Sequence, residues 1–118
     1  MSTVFDGSLD AVPARMRGWI EVSGLDTAVV LRIAGELDLA SRDAIEPAVM
    51  AAIASSAGGV ILDLAELTFC DSQGVAMFEA VGKKAEAAGT DVKLRHVLSP
   101  VRRIFEIVGL DRRLQLID

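Results

Sequence analysis

A five-residue segment in the middle of the chain, Val60–Leu64 (VILDL), constrains the fold more than any other stretch. It is short, rich in branched side chains and nearly all apolar, which is typical of a strand covered on both faces. Such strands lie in the middle of parallel sheets, because crossover helices cover both sides of the sheet. VILDL therefore predicts a central strand in an α/β domain.

A first helix is predicted on the N-terminal side of this strand. Apolar pairs recur every four residues from Ala44 to Ile53, as in an amphipathic helix. Ser41 is a suitable N-cap, but Pro47 then falls inside the helix, where it removes a backbone hydrogen bond. Either the helix kinks at Pro47, or its regular part begins near Glu46.

Two further helices are predicted on the C-terminal side. The second covers Ser72–Ala88 and stops at Gly89. The third has Ser99 as its cap, Pro100 at its first position and Gly109 just past its end. Its apolar face is predicted to contain Val101, Ile104, Phe105 and Val108.

Four more segments carry strand patterns and alternate with these helices. This order favours an open α/β sandwich with parallel pairing in its middle. The chain of 118 residues has the size of one domain, which we expect to cover residues 18–118. Residues 1–17 are expected to form a flexible leader or a short edge strand. The four strand segments are Trp19–Val22, Thr27–Ala34, Asp91–Arg95 and Leu114–Ile117.

Charge and composition argue against several classes of function. A net charge of −5 and an isoelectric point of about 4.8 oppose direct binding to nucleic acid. Cys70 is the single cysteine, so no internal disulfide can form and a reducing compartment is expected. The N-terminus lacks a signal-peptide pattern, and no segment approaches the ~20 apolar residues of a membrane span. We therefore expect a cytoplasmic protein without direct nucleic-acid or membrane contacts.

The segment Leu67–Phe78 (LTFCDSQGVAMF) places Ser72 at the predicted start of a helix, directly after Asp71. A catalytic serine needs a base within hydrogen-bond reach, and His96 is the single histidine of the chain. The nucleophile motif G-x-S-x-G is absent, because Cys70 occupies the first glycine position. We therefore predict no catalytic residues and no enzyme.

Metal and cofactor sites are not predicted either. Asp38, Asp63 and Asp71 are separated carboxylates without a histidine or thiol cluster near them. The sequence after Ala34 (GELD) lacks the lysine and the spacing of a nucleotide-binding loop. The simpler interpretation is that Asp63 and Asp71 end strands and cap turns.

Ser72 itself has two interpretations. In the first, its side chain or that of Asp71 caps the helix by accepting hydrogen bonds from the N–H groups of Gln73, Gly74 or Val75. In the second, the hydroxyl is exposed at the end of the sheet and Gly74 leaves room for another chain to approach. A phosphoryl group on Ser72 would then repel a partner that fits a neutral hydroxyl.

Nearby residues have alternative roles as well. Glu36 and Asp38 either lie at the same end of the sheet and supply acidic contacts, or form a solvated loop. Met77, about one helical turn beyond Ser72, is either an exposed partner contact or part of the core. Cys70 is expected to be a small buried hydrophobe.

Three segments in this order resemble one known family, the anti-sigma factor antagonists of the STAS domain family. They are GELDLAS at Gly35–Ser41, VILDLAELTFCDSQGVAMF at Val60–Phe78 and SPVRRIFEIVGLDRRLQLI at Ser99–Ile117, within a similarity that covers Trp19–Ile117. The resemblance implies a STAS-type mixed β-sheet of four to five strands flanked by α-helices. It also implies a role in a bacterial partner-switching circuit that regulates transcription in a stress response.

In such a circuit, the unphosphorylated antagonist binds an anti-sigma factor and thereby releases a sigma factor. The anti-sigma factor is an ATP-dependent serine kinase that inactivates the antagonist, and a serine phosphatase resets it. By resemblance, Ser72 is the phosphoacceptor, Asp71 the acidic residue before it and Gly74 the glycine of the D-S-x-G motif. Gln73 stands where a smaller residue is common in the family.

The resemblance also bears on the docking surface and on assembly. Glu36 and Asp38 match a family loop near that surface, which gives Glu36, Asp38, Asp71, Gln73, Gly74 and Met77 as predicted partner-binding residues. No cofactor is implied, and a monomer or weak dimer is expected. The alternative is a STAS scaffold subunit of a larger signalling complex.

Overall fold

A computed structural model of the chain describes the backbone of residues 2–4, 18–24, 28–56 and 58–118, and the side chains of 28–56 and 58–118. The elements in chain order are β1 (Ser2–Val4), β2 (Gly18–Gly24), β3 (Val29–Leu37), α1 (Leu39–Ser55), β4 (Val60–Asp63), β5 (Leu67–Cys70), α2 (Ser72–Ala88), β6 (Val92–Arg95), α3 (Ser99–Val108), a 3₁₀ turn (Leu110–Arg112) and β7 (Gln115–Ile117).

One mixed sheet contains the seven strands of the described residues, in the order β1-β2-β3-β4-β6-β7, with β5 pairing on β3 outside this path. The first three strands pair antiparallel. β3 pairs in parallel with β4 and with β5, and the β4–β6 and β6–β7 pairs are also parallel. The predicted class, a mixed sheet flanked by helices, is confirmed, but the sheet has seven strands instead of four to five.

The predicted central strand is confirmed, because β4 lies between β3 and β6 and its apolar residues face the core. The four other predicted strands correspond to β2, β3, β6 and β7. β1 is the short edge strand that was one of the two alternatives for residues 1–17, and β5 is an addition. β5 was not predicted from the sequence. Only its first and last residues are buried, so it shows neither a continuous apolar run nor an alternation of apolar and polar residues. Residues 1, 5–17 and 25–27 lie outside the described residues, and with them most of the predicted leader and Thr27.

α1 begins earlier than the proline suggested. Asp38 is its N-cap, and Ser41, the predicted cap, is the third residue of a capping box. The Asp38 carboxylate accepts the Ser41 N–H at 3.1 Å, and the Ser41 hydroxyl accepts the Asp38 N–H at 2.9 Å. These bonds fix the first turn at Leu39, so the predicted start of the regular part near Glu46 is wrong, and Pro47 lies inside one continuous helix.

The other two helices agree more closely with prediction. α2 has the predicted bounds, and Gly89 ends it in the left-handed conformation at φ 67°. α3 has Leu98 as its N-cap, so Ser99 is its first residue and not its cap. Val108, predicted on the apolar face, is half exposed, whereas Val101 and Phe105 are buried. Each helix within the described residues is too short or too polar to span a bilayer.

The start of α2 packs very closely against the sheet. A Cβ atom on Gly74 would lie 2.5 Å from Cys70 Sγ and 3.0 Å from the carbonyl oxygen of Leu37. Gly74 is buried, so the space that its missing side chain leaves belongs to β5 and β3 of the same chain. The expectation that Gly74 leaves room for another protein is therefore wrong.

A polar cluster joins the carboxyl ends of β4 and β6. The Asp63 carboxylate accepts hydrogen bonds from Arg95 Nη2 at 2.9 Å and from the Ala65 N–H at 3.0 Å, and it lies 3.4 Å from His96 Nδ1. Burial alone would raise the pKa of Asp63, but the Ala65 N–H, the Arg95 guanidinium and His96 together outweigh it and hold the pKa below its usual value. Asp63 therefore contributes to stability as a carboxylate.

We expect Gly74→Ala to lower the free energy of unfolding by about 1–3 kcal/mol, because the added methyl group must displace β5 or the backbone of Leu37. Gly82→Ala in the same helix is the matched control. Its Cβ would meet the flexible stem of exposed Arg113, so we expect a change of less than about 1 kcal/mol. Urea unfolding of both variants measures the difference, and equal losses would contradict the packing role of Gly74.

Asp63→Asn should lower the free energy of unfolding at pH 7 by about 1–3 kcal/mol, because it leaves Arg95 without its charged partner. The pKa of Asp63 is lower in the folded protein than in the unfolded chain, so this stability is present above about pH 4 and is lost as the pH falls further. The gap between wild type and variant should therefore shrink towards pH 3 in urea titrations. Exposed Glu79→Gln serves as control, and a gap that is constant with pH would disprove the assignment.

Candidate functional site

Two helix starts meet at one edge of the sheet. β3 and β5 run parallel with Leu37 opposite Cys70, and the Asp71 N–H donates to the Leu37 carbonyl oxygen at 3.1 Å. The next residue of each strand is a helix N-cap, Asp38 for α1 and Asp71 for α2. GELD, which is the end of β3 with the N-cap Asp38, and the segment around Ser72 therefore share the carboxyl edge of the parallel strands. This is the location expected if Glu36 and Asp38 lie at the same end of the sheet as Ser72.

Asp71, and not Ser72, caps α2. Its Oδ1 atom accepts the N–H of Gln73 at 2.8 Å and that of Gly74 at 3.1 Å. Ser72 is the first residue of the helix and its side chain is exposed. In the described part of the chain the Ser72 hydroxyl takes part in no hydrogen bond, so it is available to another molecule.

Gln73 ties the two helices together. Its Oε1 atom accepts a hydrogen bond from Arg42 Nη1 at 3.1 Å, across 31 positions of sequence. Arg42 also pairs with Glu46 one turn further along α1. The larger side chain at position 73 thus has a structural partner, which is an arginine on the neighbouring helix.

Two residues beside Ser72 belong to the core. Cys70 is 2% exposed, as predicted for a small buried hydrophobe. Burial and the negative charge of Asp71 raise the pKa of the Cys70 thiol to about 12, so the thiol stays protonated at neutral pH. Met77 is fully buried, so its predicted role as a partner contact must be corrected: the broad buried face of α2 includes it as core filling.

Three exposed apolar side chains were not anticipated. Leu39, the first residue of α1, is 56% exposed, Phe69 in β5 is 48% exposed, and Leu98 before α3 is 36% exposed. All three lie at the carboxyl ends of parallel strands β3, β5 and β6. The exposure of Leu39 could have been inferred from the sequence, because Leu39 does not share the helical spacing of the apolar residues that form the buried face of α1. Phe69 gave no signal, because β5 was not predicted.

The acidic residues at this edge have structural roles. Asp38 and Asp71 cap helices, and Glu36 is half-buried with its carbonyl oxygen accepting from the Ser41 hydroxyl at 2.8 Å. The described residues contain no group of three or more histidine, cysteine, aspartate or glutamate side chains that could hold a metal ion. His96, the candidate base, lies against Asp63.

The chain matches known proteins over almost the whole described domain. The family model for the STAS domain matches residues 20–118. The anti-sigma-F factor antagonist RsfB of Mycobacterium tuberculosis is 30% identical over 99 residues, which are 82% of this chain and 79% of the relative.

Solved structures agree with these sequence matches. An anti-sigma factor antagonist from Mycobacterium paratuberculosis superposes with a TM-score of 0.75 at 27% identity, over 84% of both chains. The unphosphorylated anti-sigma factor antagonist SpoIIAA gives a TM-score of 0.69 at 26% identity, over 84% of this chain and 88% of the other. The phosphorylated form of SpoIIAA from Bacillus shares the fold, with a TM-score of 0.66 at 24% identity over 84% and 91%.

These proteins are regulators and not enzymes. The family model matches from the second strand to residue 118, and the sequence relatives and superposed structures cover 82% to 84% of the chain. The chain therefore belongs to the STAS domain family, as a non-enzymatic member of the anti-sigma factor antagonists.

Proposed function

We propose that this protein binds an anti-sigma factor while Ser72 is unmodified, and that it thereby releases a sigma factor. The anti-sigma factor is an ATP-dependent serine kinase that phosphorylates Ser72 and so ends the complex, and a serine phosphatase resets the protein. We place this circuit in the cytoplasm. The observation that carries the proposal is the exposed Ser72 hydroxyl at the first position of a capped helix.

The position of Ser72 separates modification from folding. Because Asp71 supplies the cap, the Ser72 hydroxyl is not needed to satisfy the backbone of the first turn. A phosphoryl group at this position would face the positive end of the α2 dipole, which favours a negative charge by about 0.3–1 kcal/mol. Phosphorylation can therefore occur in the folded protein without opening the helix.

The surroundings of Ser72 make a suitable protein interface. Exposed Leu39 and Phe69 provide apolar area, and half-buried Asp38 and Asp71 supply negative charge beside it. A complementary partner presents an apolar patch with basic residues around it. A phosphoryl group on Ser72 would add about two negative charges, which would have to lose their hydration in this interface. A desolvation cost of ~1.4 kcal/mol is enough to weaken binding tenfold.

The known forms of a relative support the same mechanism. SpoIIAA has been solved in an unphosphorylated and a phosphorylated form, and both share the fold of this chain. A fold that persists with and without the phosphoryl group fits a switch that acts on the binding surface. A gross rearrangement of the domain is not required.

Incubation with ATP and the anti-sigma kinases of the same genome should add one phosphoryl group to the wild-type protein and none to Ser72→Ala, as measured by intact-mass spectrometry. Ser72→Glu should bind the cognate kinase at least about tenfold more weakly than Ser72→Ala, because it places a charge in the interface. Circular dichroism should show the same fold for both variants, since Ser72 is exposed. Tight binding of Ser72→Glu, or phosphate on another residue, would contradict the proposal.

Phe69→Ser should weaken the complex with the anti-sigma factor by about tenfold or more, because it removes an exposed aromatic side chain beside Ser72. Ile107→Ser is the matched control. Ile107 is 75% exposed on the last turn of α3, at the opposite edge of the sheet, so its loss should change the affinity less than about twofold. Isothermal titration calorimetry measures both, and equal effects would place the interface elsewhere.

A further inference from the structure

Arg42 is a cation held at the start of α2 by contacts that do not involve Ser72. Its Nη1 atom donates to the side-chain oxygen of Gln73 at 3.1 Å, and Gln73 directly follows Ser72 in the chain. On its other side, Nε pairs with Glu46 on the same helix. The Arg42 side chain is 22% exposed, so the guanidinium is held against the α1–α2 junction and not in free solvent.

The guanidinium has donors to spare. A guanidinium carries five N–H donors in one plane, and the two described hydrogen bonds use one of Nη1 and that of Nε. The outer edge of the group thus keeps N–H donors for a further acceptor. This planar arrangement matches two oxygens of a phosphoryl group.

Four carboxylates lie on the two helices around Ser72: Asp71 precedes it, Asp38 caps the neighbouring helix, and Asp43 and Glu46 lie on α1. Arg95, a cation at the same end of the parallel strands, is already paired with Asp63. A phosphoryl group of about two negative charges would meet repulsion from these carboxylates, and the helix dipole offsets only part of it. A positive charge from within the chain would remove most of the remaining repulsion.

We propose that Arg42 is the internal counter-ion of a phosphoryl group on Ser72, and that Gln73 and Glu46 hold it in reach while Ser72 is unmodified. This inference rests on the proposed function, because it concerns the modified form of the same site. On modification, the unused N–H donors of the guanidinium bind the charged oxygens of the phosphoryl group, while Nε stays paired with Glu46. The phosphoryl group is then held over the junction of α1 and α2, beside Leu39, where the partner binds.

The test uses phosphoserine incorporated at position 72 during translation, so no kinase is needed. Four proteins are compared: the phosphorylated chain without further change, and the same chain with Arg42→Gln, Arg42→Lys or Arg112→Gln. Arg42→Gln keeps a hydrogen-bond donor for Gln73 but removes the charge. Arg112 is exposed in the 3₁₀ turn at the opposite edge of the sheet and serves as the matched control.

The second ionisation of the phosphoserine is followed by ³¹P NMR during a pH titration at low salt. A free phosphoserine loses this proton at about pH 6, and a neighbouring cation lowers the value. We expect Arg42→Gln to raise the pKa of the phosphoserine by about half a unit or more, Arg42→Lys to restore most of the difference, and Arg112→Gln to leave it unchanged. The difference should shrink in 1 M salt, where the Debye length is about 3 Å.

Identical titration curves for the Arg42→Gln protein and the otherwise unchanged phosphoprotein would overturn the counter-ion role. The proposed function has a separate readout, which is the affinity of the phosphoprotein for the anti-sigma factor. If the phosphoprotein binds as tightly as the unmodified protein while Arg42→Gln still raises the pKa, the proposed function fails and the counter-ion role stands. If the phosphoprotein no longer binds the anti-sigma factor but the titration curves coincide, the proposed function stands and the counter-ion role fails.

Discussion

β3 changes its parallel partner along its length. Its first residues pair with β4, from Val29 to Arg32, and its last residues, Gly35 to Leu37, pair with β5. The register shifts between Gly35 and Glu36, and Gly35 has a φ of 90°, a conformation that glycine adopts without strain. Because of this bulge, β5 can lie against the end of β3, and the two helices that follow these strands start side by side. The surface around Ser72 exists only through this pairing.

The two helix starts use the same chemistry for different results. Both are capped by an aspartate, but the serine that follows lies at the third position of α1 and at the first position of α2. Ser41 is fully buried, and its hydroxyl donates to the carbonyl oxygen of Glu36. Ser72 is exposed, and its cap is complete without it. A difference of two positions relative to the cap thus separates a structural hydroxyl from an accessible one.

The sequence predicted those parts of the fold in which one pattern dominates. The apolar run from Val60 to Leu64 and the helix of α2 belong to this class, since burial on both faces and a capped 3.6-residue period leave few alternatives. The start of α1 was missed because Asp38 and Ser41 are both good caps, and only their mutual hydrogen bonds decide between them. Element positions therefore followed from sequence better than element ends.

The sequence predicted the residues of the candidate site that depend on local pattern, but not the contacts between distant segments. Ser72 and Asp71 followed from local pattern and family resemblance. The role of Gly74 depends on its distance to Cys70, and the contact between Gln73 and Arg42 joins residues 31 positions apart. The periodicity of the sequence cannot predict these contacts, because they form only when β5 pairs with β3.

The energetics of this site agree with the proposed switch, which would act on binding and leave the stability of the domain nearly unchanged. The core below Ser72 is closed by Gly74 and Cys70, and the helix start is satisfied by Asp71, so none of the folding contacts passes through the Ser72 hydroxyl. Folded domains are stable by only about 5–15 kcal/mol, and a modification that disturbed the core would consume a large part of that. A charge added at the surface instead changes the free energy of the complex, where a few kcal/mol separate bound from free protein. The phosphorylation and resetting proposed for Ser72 are therefore compatible with a domain that stays folded throughout.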